Sequence, residues 1–142
     1  MIILDTNVVS ELMRPLPEPS VLRWVNRQVS DTLWLTSIAV SELLFGVARL
    51  PEGARKRQFA QAMADLLEHE FIGRVLPFDL ESAVVYAELV ARREREGKPV
   101  AMADAQIAAI CIANSAALAT RNQRHFAGLG LPVLDPWVVG AA

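Results

Sequence analysis

The chain opens on an unbroken apolar run, Met1-Ile2-Ile3-Leu4, that stops at Asp5-Thr6-Asn7. A strand that alternates apolar with polar residues can leave one face in water, whereas a strand that does not must be covered on both. This opening therefore reads as a buried strand ending in a polar turn, and it demands a sheet with helices on each side. The remaining sequence repeats the same parts. Thr32 to Thr36 is rich in β-formers, and Val75 to Phe78, Ala117 to Thr120 and Pro132 to Leu134 are further short strands. Helices are predicted between them. One runs from near Val8 to before Pro15, whose missing N–H forbids continuation. Pro19 suits the first turn of a second, with Val21, Leu22 and Val25 on one face. Ser37 is the expected N-cap of a third that carries Glu42, Leu43, Leu44 and Val47 and ends by Pro51-Glu52-Gly53. Ala54 to about Glu70 is a fourth. Asp79 caps a long fifth that ends in a charged run before Gly97 and Pro99. Asp104 opens a sixth through about Ala116, and Arg121 to Phe126 is expected as a loop. Short strands alternating with helices specify an α/β protein, a three-layer α/β/α sandwich with a short, mostly parallel sheet. Strand order is not contained in this pattern.

At 142 residues the chain is expected to form a single domain over 1–142. Its 53% apolar content and mean hydropathy of +0.29 exclude a disordered chain and support a sizeable core. The surplus also suggests surface hidden against a partner or a second copy. A formal net charge of -2 excludes a polycation but leaves room for local basic patches. The lone Cys111, inside an apolar stretch, excludes a disulfide within the chain and reads as a buried core thiol. No stretch approaches the ~18 apolar residues of a transmembrane helix. The N-terminus lacks the basic residues and cleavage site of a signal peptide, so a cytoplasmic protein is expected.

Open parallel sheets bind ligands at the carboxyl ends of their strands. Asp5 lies at the end of the first predicted strand, where it serves either as a turn aspartate or as a functional group. Glu42 has Ile38, Ala39, Phe45 and Gly46 at helical spacing, none of them a cation. A buried, unpaired carboxylate is costly, so Glu42 is either exposed at a cleft, compensated by a metal, or simply solvent-facing. Asp104, at a helix start, taken alone reads as a cap. Gathered together, the three acids would repel one another unless a divalent cation neutralised them. Oxygen-only ligation favours Mg²⁺ or Mn²⁺, and such sites commonly perform phosphoryl chemistry.

Ile2-Ile3-Leu4-Asp5-Thr6-Asn7 resembles the opening of PIN-domain nucleases. Ser37 to Leu43, extending to Gly46, resembles their second motif, and Ala103-Asp104-Ala105 with Ile107-Ala108-Ala109 their third. Leu118 to Asn122 with His125-Phe126 resembles the fourth, and Asp135-Pro136-Trp137 the usual tail. Order and spacing run from end to end and resemble the VapC/FitB toxin branch. The resemblance implies an α/β/α PIN fold and a Mg²⁺- or Mn²⁺-dependent endoribonuclease, usually a homodimer. Its cognate antitoxin would inhibit it and bind operator DNA, so that DNA is met only through the antitoxin. RNA phosphodiester bonds would be hydrolysed by a metal-activated water held by clustered carboxylates. By motif position Asp5, Glu42 and Asp104 are the metal-binding and catalytic set, Thr6 and Asn7 shape the first turn, and Thr120 orients groups beside the metal. The family often has a fourth acid where Asn122 or His125 stands here. That departure points to a one-metal site, with Asn122 limited to hydrogen bonding.

An acidic nuclease must still attract phosphate. Arg121, Arg124 and His125, in the loop expected beside the acids, are the candidate substrate-binding residues. Arg55-Lys56-Arg57 and the run Arg92, Arg93, Arg95 and Lys98 are further patches, the latter diluted by Glu94 and Glu96. Trp24, Trp34 and Trp137 are expected in the core or an interface more than stacked on bases. Two other readings compete. One is a non-catalytic protein- or nucleic-acid-binding module of the same fold. The other is a different Mg²⁺-dependent phosphoryl-transfer enzyme, but aspartyl phosphatases usually carry a second Asp two residues on, where Asn7 stands. No GxxxxGK[ST] or GxGxxG sequence supports a nucleotide site.

Overall fold

In the computed structural model, residues 1–138 are described. The expected domain's last residues, 139–142, lie outside them. Five parallel strands, β1 (Ile2–Leu4), β2 (Leu33–Thr36), β3 (Val75–Leu76), β4 (Ala117–Ala119) and β5 (Val133–Leu134), pair in the order β3-β2-β1-β4-β5. Seven α-helices surround them: α1 (Thr6–Leu12), α2 (Pro19–Arg27), α3 (Ser37–Ala48), α4 (Ala54–Asp65), α5 (Leu80–Arg95), α6 (Met102–Ala113) and α7 (Gln123–Phe126). The three-layer expectation holds. Among the described residues no helix is long and apolar enough to cross a membrane.

The opening strand behaves as its composition demands. Ile3 and Leu4 are both fully buried but enter different cores, Ile3 with Leu89, Ile107, Ile110 and Phe126, Leu4 with Val8, Val21, Trp24, Leu35 and Met63. The other strands split the same way. Leu33 and Leu35 face the Leu4 side while Trp34 faces the Ile3 side, and Leu118 and Ala119 divide likewise. α1 to α4 therefore cover one face, and α5 to α7 the other. Each core is close-packed, so trimming a buried side chain such as Ile107 to Ala would cost about 2–5 kcal/mol. Cys111 lies in the second core, where burial pushes its thiol up to about 12.

Several local expectations shift by a residue or two for identifiable reasons. α1 starts at Thr6 instead of Val8, because the Asp5 side chain accepts from Thr6 N and caps the helix itself. Ser37 is inside α3; Thr36 is the cap, its hydroxyl accepting from Ala39 N at 3.0 Å. Asp79 caps α5 as expected, accepting from Ser82 N at 2.9 Å. Gly97, at φ +70°, lets the chain turn back so that Lys98 N donates to Arg93 O, and α5 ends there. The strand expected to reach Phe78 stops at Leu76, and α6 ends at Ala113 instead of Ala116. Arg121 to Phe126 is not all loop, since Gln123–Phe126 forms α7, pinned by buried Phe126.

The order β3-β2-β1-β4-β5 means that the chain leaves β1 toward one edge and later returns to β1's other side through β4. Between β1 and β4 the connections depart to opposite faces, leaving a crevice at the strands' carboxyl ends.

Candidate active site

Asp5 and Thr120 follow β1 and β4 directly, so backbone pairing alone brings them side by side at the crevice. Asp5 N donates to Ala119 O at 2.9 Å, continuing the ladder one residue past β1. The Thr120 hydroxyl donates to Asp5 Oδ2 at 2.7 Å. It also accepts from Asn7 Nδ2 at 3.1 Å and from Asn122 N at 3.0 Å. One donor and two lone pairs are thereby all used, which accounts for a fully buried hydroxyl. Asn7 reaches further than a turn-shaping role requires. Its Nδ2 also donates to Asp5 Oδ2 at 3.3 Å, and its Oδ1 accepts from Arg121 N at 3.1 Å, tying the turn after β1 to the turn after β4.

Thr6 points elsewhere. Its hydroxyl donates to Glu42 Oε1 at 2.9 Å, so the first turn of α1 holds the carboxylate that α3 carries. Glu42 is exposed, and it lines the same cleft of about 700 Å³ as Asp5, Thr6, Asn7 and Asp104. Asp104 lies in the first turn of α6, but it is not the cap; Ala101 holds that position without a side-chain bond. Asp104 instead faces His125 of α7, with Nδ1 to Oδ2 at 3.3 Å.

The electrostatics follow from this crowding. Burial pushes the Asp5 carboxyl above its ordinary value; the Thr120 hydroxyl and Thr6 N–H oppose that, and the charge of Asp104 adds to it. Burial likewise raises Asp104, with His125 opposing and Glu42 adding to the rise. Anionic charge is thus concentrated in a cleft whose own residues only partly offset it.

The PIN domain family model matches residues 2–130. The chain belongs to the PIN domain family. It is 42% identical over 137 residues to the VapC ribonuclease Y4jK of Sinorhizobium fredii, spanning 96% of this chain and 98% of that protein. It is 37% identical to toxin FitB of Neisseria gonorrhoeae, spanning 96% and 99%. Among solved structures it resembles FitAB bound to an IR36 DNA fragment, with a TM-score of 0.91 at 37% identity over 98% of this chain and 97% of that one.

Within this PIN domain, the sequence-based candidates divide. Asp5, Glu42, Asp104, Thr6, Asn7, Arg121 and Asn122 all line the cleft, with Thr120 buried directly beneath Asp5. Asn122 contributes its backbone N–H to Thr120, while its side chain makes no cap bond. Arg124 and His125 are exposed outside the lining, His125 in contact with Asp104. Of the other basic runs only Arg55 reaches the cleft. Lys56 pairs with Glu52 at 2.7 Å, and Arg92 and Arg93 each approach Glu96 at 3.7 Å. Trp24 is core, as expected, and Trp34 is half-buried against the other core. Trp137 lies along the cleft with the Arg121 guanidinium 5.1 Å from its ring centroid. Sequence reasoning passed over Glu11, which is buried at the end of α1 and accepts from Arg14 and from Glu18 N. The spacing Glu11-x-x-Arg14 was its one legible signal.

The donor set is oxygen-only and anionic, which suits a hard divalent cation. Among the described residues no group of three or more His, Cys, Asp or Glu side chains is arranged to hold a metal ion. Asp5, Glu42 and Asp104 share the cleft without closing on one point.

Proposed function

We propose that this chain is a metal-dependent endoribonuclease and the toxin of a toxin–antitoxin pair. The observation that carries this reading is that Asp5, Glu42 and Asp104, from three separate elements, line one cleft at the β1/β4 crevice. The names of its relatives, a VapC ribonuclease and toxin FitB, support it. Its partners would be RNA, a cognate antitoxin and a second copy of the chain.

Mg²⁺ or Mn²⁺ would be held by Asp5, Glu42 and Asp104, an oxygen-only anionic set lining one cleft, the donor chemistry a hard divalent cation takes. Such a cation, when bound, supplies a Lewis acid that makes water a competent nucleophile near neutral pH and offsets charge on the scissile phosphate. The chain's own residues supply position. Thr120 and Asn7 fix one oxygen of Asp5, leaving Oδ1 bound only to Thr6 N. Thr6 orients Glu42, and His125 restrains Asp104. Arg121, anchored through its backbone to Asn7, stands at the rim where a phosphate would enter.

The test is cleavage of mixed tRNA and rRNA by partner-free protein in Mn²⁺ or Mg²⁺ against EDTA, with Asp5→Asn and Asp104→Asn as controls. Metal-dependent cutting lost in both variants is expected. Cutting that survives in the variants would assign it to a contaminant. No cutting, together with no metal-induced rise in melting temperature, would favour a non-catalytic binding module.

A further inference from the structure

Arginines of this protein make two kinds of contact, ion pairs and ring contacts; Arg74 makes both, with Asp31 and Phe71, and Arg49 rests on Phe45 outside the cleft. Arg14, Arg74, Arg92 and Arg93 stand within 4 Å of carboxylates, respectively Glu11, Asp31 and, for the last two, Glu96. All four also spend guanidinium N–H donors on the protein itself, Arg14 on Glu11, Arg74 on Asp31, Arg92 on Gly128 O and Arg93 on Lys98 O. Arg121 and Arg55 have no such partner among the described residues. Each rests on an aromatic ring, Arg121 at 5.1 Å from the Trp137 centroid and Arg55 at 5.6 Å from Phe59. A ring beneath the guanidinium plane engages its face and leaves the in-plane N–H donors directed outward. The supporting rings are half-buried and the arginines exposed, so the platform is fixed and the donors meet solvent.

Both pairs line the cleft that holds Asp5, Glu42 and Asp104, yet they come from separate elements. Arg121 follows β4, and Arg55 lies in the first turn of α4. Arg14, the other cleft arginine, is paired with Glu11 at 3.0 Å. A cleft with concentrated carboxylate charge therefore carries two cations whose hydrogen-bonding capacity is left for an incoming anion.

We propose that Arg121 and Arg55 are the phosphate-binding residues of the cleft, contacting two backbone phosphates of a single-stranded RNA, and that Trp137 and Phe59 are positioning residues that hold them. This rests on the ribonuclease reading above. It assigns Trp137 to Arg121 and not to a base of the RNA, which makes the two roles separable. A base-stacking tryptophan contributes affinity independent of Arg121 and of salt. A tryptophan that acts through Arg121 contributes nothing once that arginine is gone.

The experiment measures binding of a fluorescein-labelled, unstructured 15-nucleotide RNA by fluorescence anisotropy in EDTA, across a salt series. Arg121→Ala and Arg55→Ala should each weaken binding roughly tenfold and reduce the slope of log K against log salt by about 0.7, one phosphate's worth. Trp137→Ala should weaken binding in the wild-type background and change nothing further in the Arg121→Ala background. Trp137→Phe keeps a ring under the guanidinium and should retain most of the affinity, which covers the case in which Trp137→Ala does not fold. Arginine variants with unchanged salt slopes overturn the proposal, as does absence of binding by the wild-type chain at low salt. Full additivity of the Trp137 and Arg121 losses would return Trp137 to base stacking. In Mn²⁺, the same arginine variants should raise KM and leave kcat nearly unchanged. RNA binding with these signatures but no cleavage sinks the nuclease and leaves the arginine rim. Cleavage that ignores Arg121 and Arg55 does the reverse.

Discussion

The hydroxyl of Thr120 donates to Asp5 Oδ2 at 2.7 Å, joining two residues 115 positions apart in a fully hydrogen-bonded, buried contact. Thr120→Val keeps the shape and removes one donor and two acceptors, which strands Asn122 N and part of Asn7 Nδ2. The expected cost is about 1–3 kcal/mol in urea unfolding. Because the hydroxyl lowers an Asp5 carboxyl that burial raises, its loss should also move the acidic limb of the pH–rate profile to higher pH. Thr120→Ser should restore both. A Val variant with wild-type stability and an unmoved limb would show that the contact does neither job.

Asp5 and Asp104 both sit above the ordinary aspartate value of 3.8. The folded state therefore keeps these protons to higher pH than the unfolded chain does. The contribution of these two groups to the stability of the metal-free protein is greatest below the unfolded value, falls as pH rises through the raised folded values, and then levels off. Asp104→Asn should flatten part of this dependence and melt higher than wild type at pH 7 in EDTA, although it forfeits an exposed contact with His125. A lower melting temperature for the variant would mean that the carboxylate is better accommodated than its surroundings indicate.

Adding Mn²⁺ reverses that advantage. Ligand at a hundred times its dissociation constant stabilises a folded protein by about 2.7 kcal/mol, so wild type should gain several degrees in a thermal melt. Asp104→Asn and Glu42→Gln should gain much less. Equal gains in wild type and both variants would put the cation elsewhere.

Asn7 bridges Asp5, Thr120 and Arg121 through one amide. Asn7→Ala loses those bonds, at an expected cost of about 1–3 kcal/mol. Asn7→Asp should be worse, since it removes the donor and sets a second carboxylate against Asp5. Chemical denaturation ranks the two, and an Asp variant as stable as the Ala variant would refute the amide's role as a donor.

Much of the fold was open to reading in one dimension because it rests on local rules. Helix ends follow Pro19, Asp79 and Gly97, and the unbroken opening strand requires two covered faces. Errors fell where neighbouring residues compete for one local job. Thr36 and Ser37 both suit a cap, and the backbone turns helical after the first of them. At the site, Asp5 and Asp104 stand out as acids where a strand ends or a helix begins, and Glu42 as an acid with no cation at helical spacing. The partners of Thr120, Asn7 and Trp137 were not, because a hydrogen bond across 115 residues leaves no periodic trace.

The sequence by itself determined the α/β class, since short strands and amphipathic helices follow from which residues favour water, and it named the acids. Only the tertiary structure decided which of these side chains meet. The parallel pairing of β1 with β4 sets Asp5 against Thr120. The packing of α3 beside α1 brings Glu42 to Thr6, and α7 carries His125 to Asp104. Pairing register and helix packing are non-local, fixed by burying two cores at once, so the charge concentrated in the cleft is a property of the folded chain alone.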